Sequence, residues 1–219
     1  MLLLWIFILA FGFAFTSFFR QYRDVDTLVL VAIGTAINAN IYNAITMPLR
    51  AFGMTFGIDS ILYTLFMFTI YLRAKDHSPA EARAMAVTTI EAILVSAVIE
   101  FFSRALHDGG ISRAHWIVLS NYAVSSFVSL LCVRLMLCAM KAFYRLNKYA
   151  LLFMCILGAV WLDAAFCCAS AHFFFAKAAP LRGGLLPGSL VSRLVCAVAS
   201  VCFYGLNETV WPADGKKRP

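Results

Sequence analysis

Asn40, Asn43, Asp59, Tyr63, Glu91 and Asp163 stand in or beside long apolar runs. Groups of this kind are expensive inside a bilayer, about 2.5–3.5 kcal/mol for an uncompensated charge at a helix centre on insertion scales. Glu91 follows Arg83 by eight residues, which on a helix is roughly 12 Å into the membrane. Asp163 follows Lys148 by fifteen and is also deep. Asp59 comes directly after an interruption between Gly53 and Gly57, on the same expected side of the membrane as Asn40 and Asn43. Polar groups converging where an apolar helix is short or broken by Gly and Pro form the pattern of a transporter substrate site. The asparagines equally suit a purely structural role, hydrogen-bonding one helix to the next. Glu100 and Arg104, four apart on one helix face, form a candidate internal ion pair. Arg134, seven residues from Lys141, can snorkel its charge toward the interface.

Other chemistries find no residues to carry them. The phosphate loop GxxxxGK[ST] and the nucleophile elbow GxSxG are both absent. His77, His107 and His115 fall near span ends or in loops, only His172 lies within a span, and none has a second histidine four residues away. A metal site, a cofactor and an enzymatic role are therefore not expected. The seven cysteines lie in hydrophobic runs without CxxC spacing and read as small apolar packing residues. A net charge of +7 brings nucleic acid to mind, but the basic residues lie mostly between apolar runs and no basic stretch is interleaved with aromatics.

The elements that position these groups follow from composition. Hydrophobic residues make up 63% of the 219 and charged residues only 13%, roughly half the ~25% usual in a soluble domain. A globule of this length has too little interior to hide that much apolar surface, whereas a bilayer accepts it. At ~20 apolar residues per span, the expectation is an all-α polytopic membrane protein, one transmembrane domain over residues 1–219 built as a bundle of six to seven helices. The runs are Leu2 to Phe19, Thr27 to about Ile45, Ile58 to Leu72, a fourth ending near Leu106, His115 to Tyr144, a sixth ending near Phe175, and Leu185 to Leu206. The first run lacks a basic leader and a cleavage site and reads as a retained span. Ser78 and Glu81 have capping-box spacing at the start of the fourth. With seven spans and the N-terminus outside, eleven basic residues near span ends face the cytoplasm and five face outward, which favours that orientation.

Several strings occur in an order and spacing that resemble a known family: Leu4-Trp5-Ile6, Ala39-Asn40-Ile41, Phe52-Gly53-Met54-Thr55, Ile61-Leu62-Tyr63 and Glu81-Ala82-Arg83. They resemble the queuosine precursor transporter family, also called the vitamin uptake transporter family, best over Met1 to Ala92. Leu162-Asp163 resembles its hydrophobic-Asp element, and Arg193-Leu194 the basic start of its final helix. The resemblance implies a multi-pass protein of the bacterial inner membrane that imports a 7-deazaguanine base: 7-cyano-7-deazaguanine, its aminomethyl derivative or queuine. The partners would be the bilayer and a purine-like base, with the chain acting alone or as a homo-oligomer. The sequence departs from the family where a Thr-Asp pair and a Glu give way to Ile70, Tyr71 and Lys75. It departs again where Asp-Thr-Pro gives way to Ser200, Val201 and Cys202. On this reading Asp59, Glu91 or Asp163 accepts from the base, Asn40 and Asn43 orient it, and Tyr63 offers an aromatic wall. The alternative is a non-transporting membrane subunit or scaffold whose polar residues only join helices.

Overall fold

A computed structural model describes residues 6–14, 16, 34, 49–51, 54–56, 58–175 and 185–210. Residues 6–14 are helical and precede a two-stranded antiparallel hairpin, β1 (Leu49–Ala51) and β2 (Met54–Phe56), which pairs Leu49 with Phe56, Arg50 with Thr55 and Ala51 with Met54. Five helices follow: α1 (Ile58–Asp76), α2 (Pro79–His107), α3 (Arg113–Ala142), α4 (Lys148–Phe175) and α5 (Leu185–Val210). The architecture is the expected helical bundle. The hairpin falls where the sequence is interrupted before Gly57, and its mutual pairing satisfies backbone groups that a broken helix would leave open. The expected first run agrees with the helical residues 6–14, whereas the Thr27 to Ile45 run lies outside the described residues apart from helical Gly34.

Pattern explains the placement of α1. Ile61 and every residue from Leu65 to Leu72 are buried, so this helix is covered on all sides rather than along one stripe. It touches α2, α3, α4 and α5, and those four pack in sequence order around it, α2 on α3, α3 on α4, α4 on α5. Phe13 closes the remaining side, its ring edge-on to Phe68 at 5.3 Å and stacked on Phe203 at 5.6 Å. Gly12 permits that approach, since a Cβ there would stand 2.6 Å from a Leu65 methyl. Buried threonine hydroxyls of α1 and α2 are satisfied within their own helices, Thr64 donating to the Ser60 carbonyl, Thr69 to Leu65 and Thr89 to Met85. The Cys132 thiol reaches the Ala159 carbonyl at 3.4 Å and the Cys155 thiol the Met136 carbonyl at 3.9 Å, a reciprocal pair of weak bonds between α3 and α4.

Helix ends follow local chemistry. Ser78 caps α2, its hydroxyl accepting from the Glu81 amide at 3.2 Å with Pro79 opening the helix. The Glu81 carboxylate does not complete the box; it pairs with Arg73 at 2.5 Å and so ties α1 to α2. α1 runs four residues past the expected Leu72, because Arg73 and Lys75 suit a helix C-terminus and only Pro79 stops the pattern. Between α2 and α3, Gly109 takes φ +71, the left-handed region open to glycine. His115 accepts from the Ser112 amide at Nδ1, 2.9 Å, which leaves Nε2 to donate to Asp108, 3.1 Å away.

The end of the bundle where α1 and α5 finish and α4 begins is held by Glu208. Its carboxylate pairs with Lys148, lies 3.5 Å from Lys75, and accepts from the hydroxyls of Tyr149 at 3.1 Å and Tyr204 at 2.8 Å. Lys75 also stands 4.4 Å over the Tyr204 ring. Burial alone would raise the Glu208 carboxyl, but hydrogen bonds from Lys148 and Tyr149 and the charges of Lys75 and Lys148 outweigh it and hold the group below its ordinary 4.5. A carboxyl depressed on folding stabilises above its unfolded value, and the contribution fades as pH falls from 4.5 through the lower folded value. In this half-exposed setting the effect is about 1 kcal/mol or less. Thermal unfolding of purified protein across pH 3–7 should therefore show a wild-type advantage over Glu208→Gln that disappears in acid; a difference independent of pH would remove the ionic role.

Candidate functional site

Asp163 on α4 and Arg193 on α5 face each other inside the bundle, both under 5% exposed. Arg193 Nη1 donates to Asp163 Oδ2 at 2.7 Å and also to the Val160 carbonyl. The guanidinium lies 5.9 Å from the centre of the Tyr63 ring on α1. The Tyr63 hydroxyl is buried beside Ser129 and Cys132 of α3 but makes no well-formed hydrogen bond to the described residues. One turn away, Ser192 donates to the Ser60 hydroxyl at 2.8 Å and joins α5 to α1. Four helices thus contribute to one buried polar cluster in which two opposite charges cancel.

An arginine keeps its charge at any accessible pH, so in an apolar interior it requires a carboxylate at hydrogen-bond distance. Asp163 supplies it from a helix whose other buried positions here, Leu152, Ile156 and Val160, are apolar. The pair offers two carboxylate oxygens as acceptors and a planar fork of donors a few ångströms apart, beside an aromatic face. Those groups are chemically complementary to a flat molecule bearing adjacent N–H donors and a carbonyl oxygen.

Of the residues expected from sequence, Asp163 and Tyr63 are brought together here. Glu91 does not join them: it is exposed on α2. Asp59 is the second residue of α1, with its side chain outside the described set, and Asn40 and Asn43 lie outside the described residues altogether. Arg104 pairs with Glu100, which also accepts from the Tyr122 hydroxyl at 2.9 Å, so that carboxylate links α2 to α3. The sequence reading did not place Arg193, Ser60 or Ser192 in a site. Arg193 was findable by the criterion that singled out Asp163, since it is an ionisable residue eight positions into an apolar helix. The serines carried no such signal. No group of three or more His, Cys, Asp or Glu suited to a metal ion occurs among the described residues.

Three helical stretches among the described residues, Pro79–His107, Tyr122–Ala142 and Lys148–Phe166, are long and apolar enough to cross a membrane, and Leu190–Leu206 is a shorter apolar one. With large apolar side chains on their outer faces, such as Val95, Phe102, Phe127 and Met154, they define a membrane-embedded helical bundle. Comparison with protein-family models, with curated proteins and with solved structures finds no match to this chain.

Proposed function

We propose that this protein is a multi-pass transporter of the bacterial inner membrane that imports a purine-like base of the 7-deazaguanine class. The observation that carries the reading is the buried juxtaposition of Asp163, Arg193 and Tyr63 on three different helices. A 7-deazaguanine presents a ring N–H and an amino group side by side next to a carbonyl oxygen. Asp163 accepts from the two donors, Arg193 turns to the carbonyl, and the ring lies against Tyr63, whose hydroxyl donates to a nitrogen acceptor of the base. Because substrate and Arg193 compete for the same carboxylate, loading exchanges one set of charge-assisted hydrogen bonds for another and leaves no charge unpaired. Tyr63 and Asp163 also lie in the sequence strings that resemble the queuosine precursor transporters.

The test is uptake of radiolabelled 7-cyano-7-deazaguanine in a bacterial strain that cannot synthesise the base. Expression of the wild-type chain should give saturable accumulation. Tyr63→Phe removes a hydroxyl that makes no well-formed hydrogen bond to the described residues, so it should leave membrane abundance unchanged while weakening apparent affinity about three- to tenfold, the loss of one neutral hydrogen bond. Uptake no higher than in the empty strain would reject transport of this base. Normal affinity in Tyr63→Phe would remove the hydroxyl from the site.

A further inference from the structure

Two charges of opposite sign, each without a partner among the described residues, stand on the outer surface of neighbouring helices. Glu91 lies on an exposed stripe of α2 with Val87, Val95, Val98 and Phe102, and Arg134 on an exposed stripe of α3 with Phe127. Both are within stretches apolar enough to span a membrane, and no hydrogen bond or ion pair reaches either from the described residues. Neither role given to them by sequence alone accounts for both. A substrate acid belongs in the interior, and a snorkelling Arg134 leaves Glu91 facing lipid.

We propose that this face of α2 and α3 is the interface of a homodimer in which Glu91 of each protomer pairs with Arg134 of the other. Depth allows it. α2 leaves and α3 returns to the same end of the bundle, so Glu91, twelve residues after Pro79, is roughly 18 Å from that end. Arg134, eight residues before Ala142, is roughly 12 Å from it. Side chains tilt toward the N-terminus of their own helix. In these antiparallel helices that lowers the Glu91 carboxylate and raises the Arg134 guanidinium, closing the gap with the length of an arginine to spare. Pairing across a twofold axis along the membrane normal preserves depth, and an isologous contact satisfies all four charges at once. The second copy is the occupant that offers both complementary charges at the required depths, because it carries the same two residues. The inference depends on membrane embedding and not on what the bundle transports.

The experiment is the oligomeric state of the full-length protein in lipid nanodiscs or liposomes, read by single-molecule photobleaching at several protein-to-lipid ratios. Wild type should be dimeric. Glu91→Arg and Arg134→Glu, which place like charges across the interface, should each raise the dissociation constant about tenfold or more. The double reversal recreates both pairs and should return the dimer to within about threefold of wild type, which separates loss of the contact from loss of the fold. A monomeric wild type, a dimer indifferent to the single reversals, or a double variant as dissociated as either single one would overturn the proposal. Reversals that destabilise the chain without changing its dimer fraction would assign these charges to a partner within the same chain, and would overturn it as well.

Discussion

Asp163→Asn is expected to destabilise the protein more than Arg193→Met, although each removes the same ion pair. With Arg193 gone, the buried Asp163 carboxyl loses the cation that faces it and can take up a proton. The cost of doing so at pH 7 is at most about 4 kcal/mol, the free energy of protonating a group whose ordinary pKa is near 3.9. Arginine has no such exit, since its guanidinium stays charged. Asp163→Asn takes the carboxylate away from a cation under 5% exposed, and breaking a buried pair in this way costs about 3–5 kcal/mol. The pH dependence distinguishes the two variants. In Arg193→Met, protonation removes the charge that Asp163 would otherwise hold in the interior without Arg193, so stability recovers as pH falls from 7 toward 5. Asp163→Asn has no titrating group at that place and shows no recovery. The double variant removes both charges and should regain most of the loss. Denaturation in mixed detergent micelles, followed by helical signal, measures all four proteins. Equal losses with equal pH profiles would mean that the two side chains are not coupled.

Phe13→Ala should produce the next largest loss of stability. The ring is fully buried and in contact with Phe68 of α1 and Phe203 of α5. In a water-soluble core such a truncation costs about 3–5 kcal/mol. Part of that figure is transfer from water, which largely drops out here because lipid tails are as apolar as the interior. What remains is the cavity and the lost ring contacts, about 2 kcal/mol. The same denaturation measurement should also show Phe13→Leu recovering about half of the loss, because it refills part of the volume. No loss in Phe13→Ala would mean that the N-terminal helix does not seat on α1.

The bundle was legible because its signals are local and repeated. Apolar runs of span length, the Ser78 cap and Pro79, and the Gly109-Gly110 turn each set an element within a few residues of where it lies. The interruption before Gly57 announced a break, but not that Leu49–Ala51 and Met54–Phe56 would pair as a hairpin, since backbone pairing leaves little trace in so short a stretch. The interior was half legible. Asp163 stood out as a charge at depth, and its partner did not, because Arg193 is thirty residues away and only the packing of α4 on α5 brings the two to 2.7 Å. Glu91 stood out for the same reason as Asp163 yet faces outward. Depth along a helix is read from counting residues, whereas the direction a side chain faces depends on which neighbours cover the helix. The α2 stripe is apolar on both sides, so periodicity could not tell core from lipid.

The most direct test of the central claim, that the Asp163–Arg193–Tyr63 cluster receives a purine-like base, is calorimetric titration of 7-cyano-7-deazaguanine into purified protein in lipid nanodiscs. Saturable binding to the wild type, weakened in Tyr63→Phe and lost in the double Asp163→Asn, Arg193→Met variant despite its retained fold, is the expected result. Binding of equal strength in all three proteins, or none to the wild type, would contradict it.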